Sequence, residues 1–188
     1  SQNEAANGLN KFDGVFTVSD EDVNDTHTYE IDVNSVESNN TKVSDLNVTL
    51  NDSKTGSYTV SGDFSALAEG ETATVTFQYR ANDGTTPGIN DESNYSEYKT
   101  VTLTVTGTND APETDSTSGI GIEDTTTPIV VALSGSDVDG TVVGFKITEL
   151  PANGTLYVDA AMTTPVTIGM ILNGTSTSVY FMPNANYS

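Results

Sequence analysis

The chain has 188 residues, 35% hydrophobic and 7% aromatic, with neither Trp nor Cys, which suits one or two domains with modest cores of Val, Leu, Ile, Phe and Tyr. Twenty-seven acids against six bases leave a formal charge of −21; this excludes nucleic acid as a partner, because nothing here neutralises phosphates, and makes a surface that attracts cations. The lack of Cys excludes disulfide staples, thiol catalysis and Cys-ligated zinc, and no run approaches the roughly 18 continuous apolar residues of a membrane helix, so no membrane insertion is expected.

The elements in chain order are those of strands. Short candidates "THTYEIDV" (26–33), "LNVTL" (46–50) and "SYTVSG" (57–62) precede "ETATVTFQYR" (71–80), where Thr72, Thr74, Thr76 and Gln78 alternate with Ala73, Val75, Phe77 and Tyr79. That alternation is a half-buried strand. "YKTVTLTVTG" (98–107) repeats it, with Val101, Leu103 and Val105 on one face and threonines on the other. Further candidates are "PIVVALSG" (128–135), "VVGFKITEL" (142–150), "GTLYV" (154–158) and "SVYFM" (178–182). Turn signals fall at Asp13-Gly14, Asp83-Gly84, Asp139-Gly140, Asn153-Gly154 and Asn173-Gly174. No stretch is a convincing amphipathic helix; "FSALAEGE" (64–71) makes at most one turn. An all-β chain of sandwich type is expected.

A weak internal repeat divides it. "VSDEDVND" (18–25) and "GSDVDGTV" (135–142) both place Ser-Asp-x-Asp after an apolar strand, 117 residues apart, the length of one sandwich domain. Domain one is therefore expected at 1–109 and domain two at 110–188. By the same ruler domain two is incomplete at Ser188, since counterparts of 71–80 and 98–106 are not written. The chain starts at Ser1 with no initiator Met or signal peptide, and reads as an excerpt of something longer.

The junction itself, "TVTGTNDAPE" (104–113), joins Asn109, Asp110 and Pro112. A Pro beside an Asx pair makes a turn; the sharper reading is a calcium-binding linker between two domains. In Asp137-Val138-Asp139 the middle side chain turns aside, so that two carboxylates face one ion, and Gly140 permits the bend that follows.

"GDFSALAEGETATVTFQYRANDG" (62–84) with "VTLTVTGTNDAP" (101–112) resembles the VCBS repeat of giant bacterial surface proteins. "IEDTTTPIVV" (122–131), "GSDVDGTVVGFKITELPANGTLY" (135–157) and "VYFMPNANYS" (179–188) are similar to the bacterial cadherin-like repeats of large RTX adhesins. The resemblance implies tandem Ig-like, cadherin-like β-sandwich domains rigidified by Ca²⁺, exported to the surface of a Gram-negative bacterium by type I secretion, with neighbouring repeats of the same polypeptide as partners.

Against the cadherin linker Asp-x-Asn-Asp-Asn-x-Pro, Asn109 and Asp110 match the Asn-Asp core. Gly107 stands where the first Asp belongs, Ala111 replaces the second Asn, and Pro112 arrives one position early. The resemblance implies further ligands from Asp137 and Asp139 of the following domain and from Glu69 or Glu71 of the preceding one. It implies a second set, Asp20, Asp22 and Asp83, at the far end of domain one, shared with a preceding repeat. Glu123, near a strand start, reads as solvated.

His27 is the only histidine and reads as a surface residue; Tyr95 and Tyr98, in "TTPGINDESNYSEY" (85–98), read as loop-packing. With no Cys, one His and no Ser-His-Asp constellation, no catalysis is expected. The expectation is a non-catalytic extender. Its alternatives are a calcium-dependent ligand- or carbohydrate-binding module, with a host-cell, surface or glycan ligand engaged around 84–97, and an accessory domain of a secreted hydrolase.

Overall fold

The computed structural model describes residues 2–3, 9–19, 26–83, 94–122, 124, 126–174 and 177–185. Among them there are strands and turns and no α-helix. The chain divides into two compact units, Ser1–Asp110 and Ala111–Ser188, one residue beyond the boundary that the internal repeat suggests.

Unit 1 is a sandwich of two sheets. Its strands are β1 (Gln2–Asn3), β2 (Leu9–Val15), β3 (Thr28–Ser38), β4 (Ser44–Asp52), β5 (Ser57–Asp63), β6 (Thr72–Asn82) and β7 (Lys99–Thr106). One sheet has the order β1-β7-β6-β3 and the other β2-β5-β4. Every pairing is antiparallel except β1 on β7, which is parallel. The alternation in 71–80 survives intact, because Ala73, Val75 and Phe77 are fully buried while the threonines between them stay at or near the surface. They meet Val105 of β7, Val60 of β5 and Val48 of β4, and Phe64 and Leu67 close the end of the core.

An aromatic stack runs through it. Phe16 lies between Tyr58 and Tyr79, with ring centroids at 4.5 and 3.9 Å, and Tyr29 leans on it at 5.6 Å. Such offset pairs add roughly 0.5–1.5 kcal/mol each beyond their burial.

One reading from sequence needs correction. Asp13-Gly14 is not a turn but lies inside β2, where Gly14 pairs with Tyr58. The Tyr58 ring covers it so closely that a Cβ would come within 2.2 Å; the glycine is there for an aromatic lid, not for a bend. β2 itself escapes a search by propensity, because Lys11, Asp13 and Gly14 are poor strand formers. Its place is fixed by packing instead.

Unit 2 is built from β8 (Glu113–Thr114), β9 (Ile129–Leu133), β10 (Gly135–Ser136), β11 (Gly144–Lys146), β12 (Gly154–Tyr157), β13 (Ile171–Asn173) and β14 (Thr177–Pro183). A three-stranded antiparallel sheet has the order β12-β14-β9, and β10-β8 and β11-β13 form two-stranded ladders. Among the described residues this unit buries three apolar side chains, Phe145, Val166 and Val179, against eleven in unit 1. Ile120, Ile122, Val130, Val143, Ile168 and Ile171 are exposed. Since burial of apolar area is the main stabilising term, unit 2 is the weaker of the two.

Hydrogen exchange followed by mass spectrometry is therefore expected to protect β6 and β7 longer than β9 and β14. Phe77→Ala should lower the stability of unit 1 by about 3–5 kcal/mol in urea unfolding. Equal protection in both units would contradict the ranking.

Candidate metal-binding site

The register of β6 on β7 sets the end of unit 1. Thr72 pairs with Thr106, the first residue of one strand against the last of the other. Residues 64–71 fold back in tight turns, with the Leu67 N–H on the Phe64 carbonyl at 2.9 Å and the Glu71 N–H on that of Ala68 at 2.8 Å. Gly70 takes the left-handed conformation at φ +77°, which glycine adopts without strain. The Gly70 N–H then donates to the Gly107 carbonyl at 3.0 Å, and the Gly107 N–H to that of Glu71 at 2.8 Å. Residues 69–71 thus lie beside the chain that leaves β7 toward Asn109 and Asp110.

Position 107 itself has no room for a side chain. A Cβ there would stand 2.4 Å from the Ala68 carbonyl oxygen and 2.6 Å from that of Leu67, so an Asp is excluded by the same approach that brings 69–71 alongside. Asn109 Nδ2 donates to the Asp110 carbonyl at 2.7 Å, which tightens the link, and Asp110 is buried.

Glu69 and Glu71 differ sharply. Both oxygens of Glu71 are engaged: Oε2 accepts from Lys42 Nζ at 2.6 Å and from the Ala68 N–H at 3.1 Å, and Oε1 from Asn40 Nδ2 at 2.9 Å. The Lys42 hydrogen bond, with those from Asn40 and Ala68, holds its carboxyl down at about 2. Its charge is already met. Glu69 is exposed and has no side-chain partner among the described residues. Sequence reading missed Asn40 and Lys42, because they reach Glu71 only through the turn after β3. Asn39 anchors that turn by accepting from the Thr74 N–H at 2.7 Å and donating its own N–H to the Thr74 carbonyl.

In unit 2 a short ladder does comparable work. Ser136 pairs with Glu113 and Gly135 with Thr114, and Ser134 Oγ donates to Asp115 Oδ2 at 2.6 Å beyond it. Asp137 directly follows the last residue of that ladder, Ser136. Asp137 Oδ1 accepts from the Gly140 N–H at 2.9 Å and, weakly, from the Asp139 N–H at 3.4 Å, an Asx turn that fixes the carboxylate. A Cβ at Gly140 would meet Asp137 Oδ2 at 2.9 Å, so a larger residue there would push that carboxylate aside. Oδ2 itself receives no hydrogen bond from the described residues. Asp139 is half-buried.

Asp83 follows β6 and Glu71 precedes it, so the eleven residues of that strand put the two at most roughly 40 Å apart at about 3.3 Å per residue. Its N–H donates to the Asn94 carbonyl at 3.1 Å, and a cavity of about 220 Å³ beside it is lined by Val18, Ser19, His27, Tyr95 and Ser96. Asp20, Asp22 and Glu123 lie outside the described residues. Tyr95 and Tyr98 flank the Arg80 guanidinium, at 3.8 and 4.8 Å from the ring centroids, while Arg80 also pairs with Glu30. Both rings are thereby committed to holding the 94–98 segment on β6. Among the described residues no group of three or more acidic or histidine side chains stands ready-made around a single point.

Glu71 gives a pH signature. A carboxyl held near 2 when folded and at 4.5 when unfolded adds stability that is complete above 4.5 and drains away as pH falls toward 2. Glu71→Gln should therefore lower the unfolding midpoint at neutral pH, with the gap to the parent chain closing across that window. A gap independent of pH would refute the assignment. Gly107→Asp should destabilise unit 1 by roughly 1–3 kcal/mol through overpacking, as read by urea unfolding.

No protein-family model matches the chain, no curated protein matches it, and no solved structure matches it.

Proposed function

We propose that the chain is a non-catalytic extender segment of a secreted, cell-surface bacterial adhesin, in which calcium at the linker fixes the angle between successive units and projects a distal binding region. What supports this reading is found in each unit separately: in unit 1 the Gly70 N–H donates to the Gly107 carbonyl, next to Glu69, and in unit 2 Ser136 pairs with Glu113, just before Asp137.

The donor chemistry suits a hard cation. Asp137 is locked by its own turn through one oxygen, with the other oxygen left over; Glu69 is unengaged, and Asp110 and the backbone carbonyls of the linker add oxygens. Calcium takes six to eight such oxygens at about 2.3–2.6 Å and tolerates irregular geometry, which makes it a better fit than magnesium. Glu71 drops out of the ligand set, because Lys42 and Asn40 already hold both of its oxygens. Of the two glutamates, Glu69 is the ligand in this reading. In this reading a bound ion would supply positive charge to carboxylates that would otherwise repel one another.

A second reading, a calcium-dependent carbohydrate-binding module, draws on the polar cavity beside Asp83, whose lining includes Tyr95 and His27. Binding on a glycan array would favour it over the extender.

Calorimetric titration with Ca²⁺ is expected to give dissociation constants on the order of 10⁻⁴ to 10⁻³ M, with Mg²⁺ a poor substitute, and calcium should raise the melting temperature relative to chelator. Asp137→Asn and Asp110→Asn should each weaken binding, while Glu71→Gln should leave it unchanged. Small-angle scattering that shows the same interdomain flexibility with calcium and with chelator would overturn the rigidifying role.

A further inference from the structure

The sequence contains Asn-Gly at 7–8, 153–154 and 173–174. In this dipeptide the glycine nitrogen can close on the asparagine side-chain amide, because no Cβ on the following residue obstructs the approach. The first pair lies outside the described residues. The other two sit in different backbone environments.

Gly174 is restrained, its N–H donating to the Val143 carbonyl at 2.9 Å. At the other pair, the Asn184 N–H donates to the Asn153 carbonyl at 3.1 Å, which makes 153/184 a hydrogen-bonded pair of the β12–β14 ladder. The next pair, Gly154 with Pro183, is then a non-hydrogen-bonded one. The Gly154 N–H accordingly points away from β14. β12 is an edge strand whose only sheet neighbour is β14. Its outer edge is covered further along, where the Val166 N–H donates to the Leu156 carbonyl and the Val158 N–H to that of Thr164, but Gly154 receives no such cover from the described residues. Asn153 is exposed. The glycine is imposed by packing, since a Cβ at 154 would lie 2.3 Å from the Phe181 ring.

We infer that Asn153-Gly154 is a self-modifying site, which converts to aspartate and isoaspartate in the folded chain while Asn173-Gly174 is held back. The Gly154 nitrogen, losing its proton to solvent base, forms a bond to Asn153 Cγ. The Cγ–Nδ2 bond breaks, and the side-chain nitrogen leaves as ammonia, taking up a proton from water. Water then opens the succinimide ring. Cleavage at Cγ gives aspartate; cleavage at the backbone carbonyl gives isoaspartate, with one more methylene in the main chain. The net change is one water consumed and one ammonia released. The product adds a negative charge, and its isoaspartyl form displaces the carbonyl that Asn184 uses, which weakens the entry to β12.

The test is to age the intact 188-residue chain at mildly alkaline pH, and to follow both sites by peptide mass spectrometry and isoaspartate-methyltransferase labelling. A parallel sample is aged in denaturing urea. The expected result is conversion at Asn153 several-fold faster than at Asn173 in the folded chain, with the difference lost in urea. Equal rates in the folded chain, or a faster Asn173, would overturn the proposal. So would a difference that persists in urea, because it would then reflect the flanking residues and not the fold. Asn153→Gln supplies the unreactive control.

Discussion

The eight-pair register of β6 on β7 is the constraint from which the rest of unit 1 hangs. It aligns Ala73, Val75 and Phe77 with Val101, Leu103 and Val105 on the inner face. A slip of one residue would turn this whole apolar set outward. The same register ends with Thr72 across from Thr106, which brings the 64–71 turns against Gly107. The core and the acidic end of the sandwich are thus set by one ladder, and Gly107 is the residue through which they meet.

Charge is distributed unevenly over this scaffold. Of the six bases, Lys42 is engaged with Glu71 and Arg80 with Glu30 and two tyrosines. These basic side chains act locally, tying the turn after β3 and the segment before β7 to the sheet. Several acids are likewise absorbed by turns. Asp63 is held below its usual range by the Ser65 hydroxyl and N–H, Asp52 by the Lys54 N–H, and Asp159 by the Thr163 N–H. Acid-rich composition alone therefore overstates how many carboxylates are open to a cation. The ones that matter are those the hydrogen-bond network leaves over.

Much of the fold could be read from the sequence, because period-two alternation in 71–80 and 98–107 is a direct image of a half-buried strand. β2 could not, since its Gly14 is explained only by Tyr58, a residue 44 positions away whose ring lies above it. The candidate site was legible in part. Asp137 and Gly140 form the turn that their spacing suggests. The difference between Glu69 and Glu71 was not, because it depends on Lys42 and Asn40 arriving from another strand connection. Local chemistry shows in spacing; long-range pairing does not.

Pro183 has a role in unit 2 that goes beyond its place opposite Gly154. A proline inside a paired strand removes a donor, and is tolerated where the ladder asks for none on that side. Here the bonds to β12 run through Asn184, and Pro183 falls between them. Shifting β14 by one residue would bring the proline nitrogen to a position that demands a hydrogen, and would carry Val179 out of its buried place. Pro183 therefore works as a key cut for a single lock. It adds nothing to the strength of the correct alignment and penalises the neighbouring one, which is useful in a small sheet whose few buried side chains discriminate weakly between the two.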